Sequence, residues 1–278
     1  MVDPRREGFV RDGTFVELYA GMAAVTWSLA GGVPPVCYMG GKRRQAADIL
    51  RLMALAPGDV RRVVLVEADP TVAAVLRFLF GPRDAHRRAI AAWQTLALAG
   101  ADAQHDMFTA FVDEGFADLP EHLAATRWLW MRNRTLPQVQ PQSACASSWK
   151  GQRGGGTRTH WGLDNPSQGL ARLAALPWPV DVVCAKASEV APIPGAVAYL
   201  DPPYVGTNGY AVAPDEAVEN VAERWCSAGA DAYVSEGRPV PGGTPYPIAG
   251  RDTDRGPGNQ IGKAGHVAEY LTAFEAPR

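Results

Sequence analysis

The sequence predicts an α/β doubly wound sheet carrying an inserted middle segment. Three observations lead there. Short apolar runs that read as strands alternate with segments of helical periodicity on both sides of the middle. Those runs are nearly continuous in Val, Leu and Ala, as in parallel strands covered on both faces. Between them, residues 127–163 form a stretch of different character, with six basic residues and no acidic one.

The elements follow in order. Thr14–Leu18 reads as a buried strand running into Tyr19-Ala20-Gly21, with a helix over 22–29. After a turn at 31–35, residues 43–55 repeat apolar side chains at Ala46, Ile49, Leu50 and Met53, and Pro57-Gly58 ends that helix. Residues 62–66 read as a second strand and 71–79 as the helix behind it. Residues 85–125 look helical. Val180–Cys184 and 196–200 read as a third and fourth strand, 215–228 as a helix and 232–235 as a fifth strand. Residues 267–274 fit either a final strand or a helix, because periodicity does not separate the two in so short an apolar run. The chain is thus divided into 1–84, an insert at 85–165, and 166–278.

Bulk properties narrow the class. A chain of 278 residues with 47% hydrophobic content can bury a full core. The net charge of -2 gives no overall sign of a polyanionic partner, so any basic surface is local. The four cysteines, Cys37, Cys145, Cys184 and Cys226, form no CxxC pair, so neither a zinc site nor a disulfide framework is expected. No run of about 20 apolar residues occurs and the first residues lack an apolar signal core, so a soluble, cytoplasmic protein without a membrane anchor is expected.

Four motifs carry candidate chemistry. The most specific is Asp201-Pro202-Pro203-Tyr204 at the end of an apolar strand. Ligands of open α/β sheets bind at the carboxyl ends of strands, so its place matters as much as its letters. An exocyclic amino nitrogen on a nucleobase is a poor nucleophile, because its lone pair is delocalised into the ring. A carboxylate and a backbone carbonyl that each accept one of its N–H groups pull it toward tetrahedral geometry and localise that pair. Asp201 supplies the carboxylate, Pro202 a rigidly held carbonyl, and Tyr204 a ring face on which an extruded base can stack. Taken alone, the same four residues also make an ordinary turn after a strand.

The second motif is the strand Thr14–Leu18 with its Tyr19-Ala20-Gly21 turn, where a glycine lets backbone approach a ligand closely. It lacks the GxGxxG spacing of dinucleotide folds, which disfavours NAD. The third is Tyr38-Met39-Gly40-Gly41-Lys42-Arg43, either an anion site at a helix start or a helix start with solvated cations. It is not a P-loop. The fourth is Val66-Glu67-Ala68-Asp69-Pro70, which places an acid just past the second strand. Glu67 and Asp69 both suit the hydroxyls of a ribose, and either suits the cap of the next helix.

Together these residues resemble the Dam-like adenine-specific DNA methyltransferases, in particular their phage-type branch. The resemblance rests on FVELYAG at 15–21, YMGGKRR at 38–44, VEADP at 66–70, DPPY at 201–204 and VSEG at 234–237, with a helix and strand over 169–189 leading toward DPPY. It does not cover the middle segment. It implies a Rossmann-like methyltransferase fold that binds S-adenosylmethionine and methylates N6 of a flipped adenine in DNA. It implies a cofactor site drawn from Phe15, Glu17, Tyr19, Ala20, Gly21, Tyr38, Gly40, Gly41, Lys42, Glu67, Asp69 and Asp201. It assigns the target base to Asp201, Pro202, Pro203 and Tyr204, and makes the insert the target-recognition region. Three departures stand beside it. Leu18 and Ala23 occupy positions where the family often has Pro and Gly, and the Gly-Gly-Lys element follows the first strand rather than preceding it. The position after 180–184, often acidic in the family, is Ala185-Lys186 here, with Ser188 and Glu189 next.

In the insert, Arg127, Arg132, Arg134, Lys150, Arg153 and Arg158 are interleaved with Trp128, Trp130, Trp149 and Trp161. Cations neutralise phosphates and aromatic faces stack on bases. Arg132, Arg134, Lys150, Arg153, Arg158 and His160 are therefore the expected DNA contacts, while Trp128 and Trp130 serve equally well as a small core. N4-cytosine or RNA amino methylation uses the same chemistry. A non-catalytic nucleic-acid-binding protein is the reading from another class.

Overall fold

The computed structural model describes residues 12–32, 42–81, 101–116, 119–132, 134, 135, 141, 144–148, 176, 178–203, 212–256 and 260–277. Seven strands make one sheet: β1 (Thr14–Leu18), β2 (Arg62–Glu67), β3 (Val180–Cys184), β4 (Val197–Leu200), β5 (Asp231–Glu236), β6 (Thr244–Gly256) and β7 (Gln260–Phe274). Their order across the sheet is β3-β2-β1-β4-β5-β7-β6. The first five run parallel. β7 is antiparallel to both β5 and β6. The helices are α1 (Ala24–Leu29), α2 (Ala46–Leu52), α3 (Pro70–Phe80), α4 (Ala101–Glu114), α5 (Glu121–Arg132) and α6 (Val218–Ser227).

Alternation along the strands explains the continuous apolar runs. Successive side chains of a strand point to opposite faces. Phe15, Val63, Leu65, Val197 and Tyr199 accordingly pack with α1, α2 and α3 on one face. Val16, Leu18, Val64, Val66, Ala198 and Leu200 pack with α6 on the other. A strand buried on both faces has no position where a polar residue is free, except where a partner waits for it.

Among the described residues the expected elements form, with shifted ends; the helix expected before β3 and residues 85–100 of the helical segment lie outside them. α1 begins at Ala24, later than expected, because the turn before it holds Tyr19, Gly21 and Ala23 at φ between 51° and 57°. α2 ends at Leu52, followed by Ala54 at φ 48°. Residues 260–274 resolve the open alternative as a strand: Ala232 pairs with Phe274 and Glu236 with Tyr270. β6 has no counterpart among the elements expected from the sequence. It lies at the sheet edge, where a missing N–H leaves no neighbour unsatisfied, and its prolines, Pro245 and Pro247, pair in register with β7.

The helical part of the insert shares the core of the sheet. Trp128, Leu129, Trp130 and Met131 of α5 and Phe108 of α4 are all 0% exposed. They belong to the same apolar cluster as α3 and β2. Trp128 and Trp130 are therefore core residues. Truncating Trp128 to alanine is expected to lower the unfolding free energy by ~3–5 kcal/mol, read from denaturant midpoints. A loss below ~1 kcal/mol would mean that α5 does not help to hold the sheet. No described helix is long and apolar enough to cross a membrane.

Candidate active site at the carboxyl ends of the strands

The order β3-β2-β1-β4-β5 reverses direction at β1: the chain moves outward to β2 and β3, then returns to β4. At such a point the loops that follow neighbouring strands diverge and leave a crevice. Three of the four motifs described fall there. A cleft opens between Tyr19 and Gly21 after β1, Glu67 and Ala68 after β2, Ala185–Ala187 after β3, Asp201 and Pro203 after β4, and Val212–Asp215 opposite.

The β1 turn is held tightly. Ala20 N donates to Val66 O (2.9 Å), and Gly21 N donates to Glu67 Oε2 (2.8 Å). Left-handed backbone is costless for Gly21, but costs ~1–2 kcal/mol at each of Tyr19 and Ala23. Ala23 therefore adopts the conformation for which a glycine is usual at this turn, at the cost of local strain. Tyr19 lines the cleft, and burial, with the Asp215 and Glu216 carboxylates nearby, pushes its hydroxyl up to about 12.

The two acids after β2 divide their roles. Asp69 caps α3, its Oδ1 accepting from Thr71 N (2.8 Å) and Val72 N (3.3 Å), with Pro70 opening the helix. Glu67 instead faces the cleft. Its Oε1 accepts from Asp69 N (2.9 Å) and its Oε2 from Gly21 N, so two backbone amides fix the carboxylate plane. Burial outweighs those bonds and raises its carboxyl to about 7.

Two expected cofactor residues lie below the floor. Phe15 is 0% exposed in the core. Glu17 is 3% exposed and turns to the start of α1, accepting from Val25 N (3.3 Å), Thr26 N (2.9 Å) and Thr26 Oγ1 (2.6 Å). The positive end of a helix compensates a buried carboxylate, yet burial dominates and lifts Glu17 to about 7. Phe15 and Glu17 thus support the β1 turn from beneath, and neither lines the cleft. Ala20 is 6% exposed and is tied to β2 through its N–H. Tyr38, Gly40 and Gly41 lie outside the described residues.

Lys42 is described, and it joins the third motif to the first. It is 4% exposed, and its Nζ donates to Asp201 Oδ1 at 2.6 Å. The same ammonium lies 3.4 Å from Glu269 Oε1 of β7, which also accepts from Ser235 Oγ (3.0 Å) of β5. Asp201 continues the sheet ladder, its N–H pointing to Leu18 O (3.4 Å), and Pro202 is buried behind it. Glu236, at the end of β5, is raised by burial and lies within the field of Lys42 and Asp201. Tyr204 lies outside the described residues. Glu269 and Ser235 were not anticipated, although an acid in the apolar run HVAEYLTAF signals a buried charge with a partner.

At the far wall Lys186 Nζ reaches Asp215 Oδ2 (3.1 Å), and Ser188 Oγ donates to Asp215 Oδ1 (2.8 Å). Those two donors hold the Asp215 carboxyl below its ordinary value. Asp215 reads in the sequence only as the start of a helix, since its partners come from a distant loop.

Of the expected DNA contacts, Arg132 and Arg134 are described. Arg132 is 6% exposed and donates to Thr135 Oγ1 (3.3 Å). Arg134 stacks 4.4 Å over Trp130, and its Nε (3.1 Å) and Nη2 (2.9 Å) both donate to Gln104 Oε1. Burial lowers its pKa to about 10. The Arg134 guanidinium thus ties the end of α5 to Gln104 of α4, and that of Arg132 bonds Thr135 just past its own helix. Lys150, Arg153, Arg158 and His160 lie outside the described residues. Among the described residues no group of three His, Cys, Asp or Glu side chains is placed to hold a metal.

The sheet order with its antiparallel seventh strand, and the crevice at β1 and β4, define a Rossmann-like α/β fold. No family model and no curated protein matches the chain. Among solved structures it is similar to the rRNA methyltransferase aviRa from Streptomyces viridochromogenes, at 14% identity over 96% of this chain and 78% of that one, with a TM-score of 0.33. The strand order, rather than this similarity, defines the fold.

Proposed function

We propose that the chain is an S-adenosylmethionine-dependent DNA methyltransferase of the Dam-like kind, acting on N6 of an adenine flipped out of the duplex. The observation that carries this reading is the position of Asp201. Its carboxylate stands at the carboxyl end of β4, on the rim of the cleft that Gly21 and Glu67 also line. The cleft residues suit the cofactor. Gly21 leaves room for close backbone approach. Glu67 has a fixed carboxylate for a ribose diol, and Val66, Ala185 and Ala187 are apolar walls for a purine.

The bound cofactor would supply a sulfonium methyl as electrophile. The protein's part is to make the amine nucleophilic. Asp201 accepts one amino N–H and the Pro202 carbonyl the other, so that the nitrogen lone pair localises. Lys42 keeps Asp201 oriented and its charge balanced. Asp201 or water then takes the proton the nitrogen loses. A flipped base needs a stacking face, a role that falls to Tyr204.

The test is transfer of labelled methyl from S-adenosylmethionine to unmethylated duplex DNA, followed by nucleoside analysis. N6-methyladenine is the expected product. N4-methylcytosine, or label in RNA alone, would replace the substrate, and no label in any nucleic acid would overturn the reading. The raised carboxyl of Glu67 adds a pH prediction. A protonated Glu67 accepts ribose hydroxyls poorly, and its free-state value is about 7. Cofactor affinity should therefore weaken about tenfold per pH unit below 7 and level off above it. A flat profile between pH 5.5 and 8, measured by calorimetry, would remove Glu67 from the ribose site.

A further inference from the structure

The cleft has a direction, and that direction assigns its far end. Its floor crosses the sheet in the order β4, β1, β2, β3, from Asp201 past Gly21 and Glu67 to Ala185–Ala187. Neighbouring strands are ~4.8 Å apart, so the crossing spans about 14 Å, room for a nucleoside extended along it. A reacting methyl must lie beside Asp201, and Glu67 is the carboxylate placed for a ribose. The purine is left with the β3 end. There Ala185 and Ala187 offer apolar walls, and the carboxylate facing the cleft at that end is Asp215.

Resting on the cofactor assignment above, we propose that Asp215 recognises the cofactor's adenine by accepting a hydrogen bond from its exocyclic amino group, with Lys186 and Ser188 as positioning residues. Lys186 Nζ (3.1 Å) and Ser188 Oγ (2.8 Å) each occupy one carboxylate oxygen. A carboxylate has about four acceptor sites, so each oxygen keeps capacity for a further donor. The two partners stand on the segment just after β3, whereas Asp215 arrives from the segment before α6. The acid is thus supplied from the wall opposite β3. Lys186, which looks adverse to a purine amino group in the sequence, clamps the carboxylate that accepts from it. This gives the site a way to prefer adenine over a 6-oxo purine, which presents an acceptor to Asp215.

The experiment is a calorimetric comparison of S-adenosylhomocysteine with S-inosylhomocysteine, whose 6-amino group is replaced by oxygen, on the full chain and on its Asp215→Ala variant. The native chain should prefer the amino compound by about tenfold or more, the scale of a hydrogen bond to a charged group. In D215A the two affinities should converge to within about twofold, with the ligand-free melting temperature unchanged. A D215A protein that keeps the native preference, or loses both ligands in equal proportion, overturns the assignment, as does a native chain with no preference. A native chain that binds neither compound refutes the cofactor site itself, a separate outcome.

Discussion

Replacing Asp201 with alanine is expected to abolish methyl transfer, by about a thousandfold or more in kcat, while cofactor affinity stays within a few-fold of the native value. The size follows from the role. A preorganised group aimed at a reacting centre is worth ~10²–10³ in rate when it is one of several, and in the proposed mechanism Asp201 both accepts the amino N–H and anchors the base. Cofactor binding should survive because, under the proposed cofactor assignment, Gly21, Glu67 and the β3 end hold the nucleoside without it. Removal of Asp201 does not strand its partner, since Lys42 keeps the Glu269 carboxylate at 3.4 Å. The fold should therefore persist, and a circular dichroism melt should match the native one. Full activity in D201A would sink the catalytic assignment. Lost cofactor binding would instead make Asp201 a ligand for the cofactor.

The second large effect is Lys42→Met. Lys42 and Glu269 are 4% and 3% exposed, and Asp201 18%. Without the ammonium, two carboxylates share a mostly buried space that has lost this counter-charge. Breaking a buried ion pair from one side costs ~3–5 kcal/mol, and the partial exposure of Asp201 favours the lower end. The loss should appear in urea unfolding, and kcat should fall because Asp201 loses its orientation. Adding Glu269→Gln should recover part of the stability, since it removes one of the stranded charges, but not the activity. Stability of K42M within ~1 kcal/mol of native would show that the three groups do not form one network.

Much of the fold could be read from residues alone because burial on both faces leaves a strong mark. Phe15 and Val16 must both be apolar when α1 covers one side of β1 and α6 the other. β6 was not legible in the residues for a local reason: its prolines forbid a central strand but not an edge one, and edge position depends on the whole sheet. The tryptophans of α5 fitted nucleic-acid stacking and core packing alike. Packing on α3 and the sheet is what decided for the core.

The candidate site divides the same way. By itself the sequence determined the types of group present and their place at strand ends: the Asp-Pro-Pro turn, the glycine after β1, the acids after β2. These follow from short-range rules, since a strand followed by a turn fixes where the next side chains emerge. Only the tertiary structure decided which groups meet. It took Glu17 into a cap for α1, gave Glu67 to the cleft and Asp69 to α3, and brought Lys42 to Asp201 across 159 residues of chain. It also set Glu269 and Asp215 beside cations far away in sequence. The physical reason is range. Dihedral preference and apolar alternation act between neighbours along the chain, whereas the pairing of a buried charge is settled by whichever partner the packed sheet brings within about 4 Å.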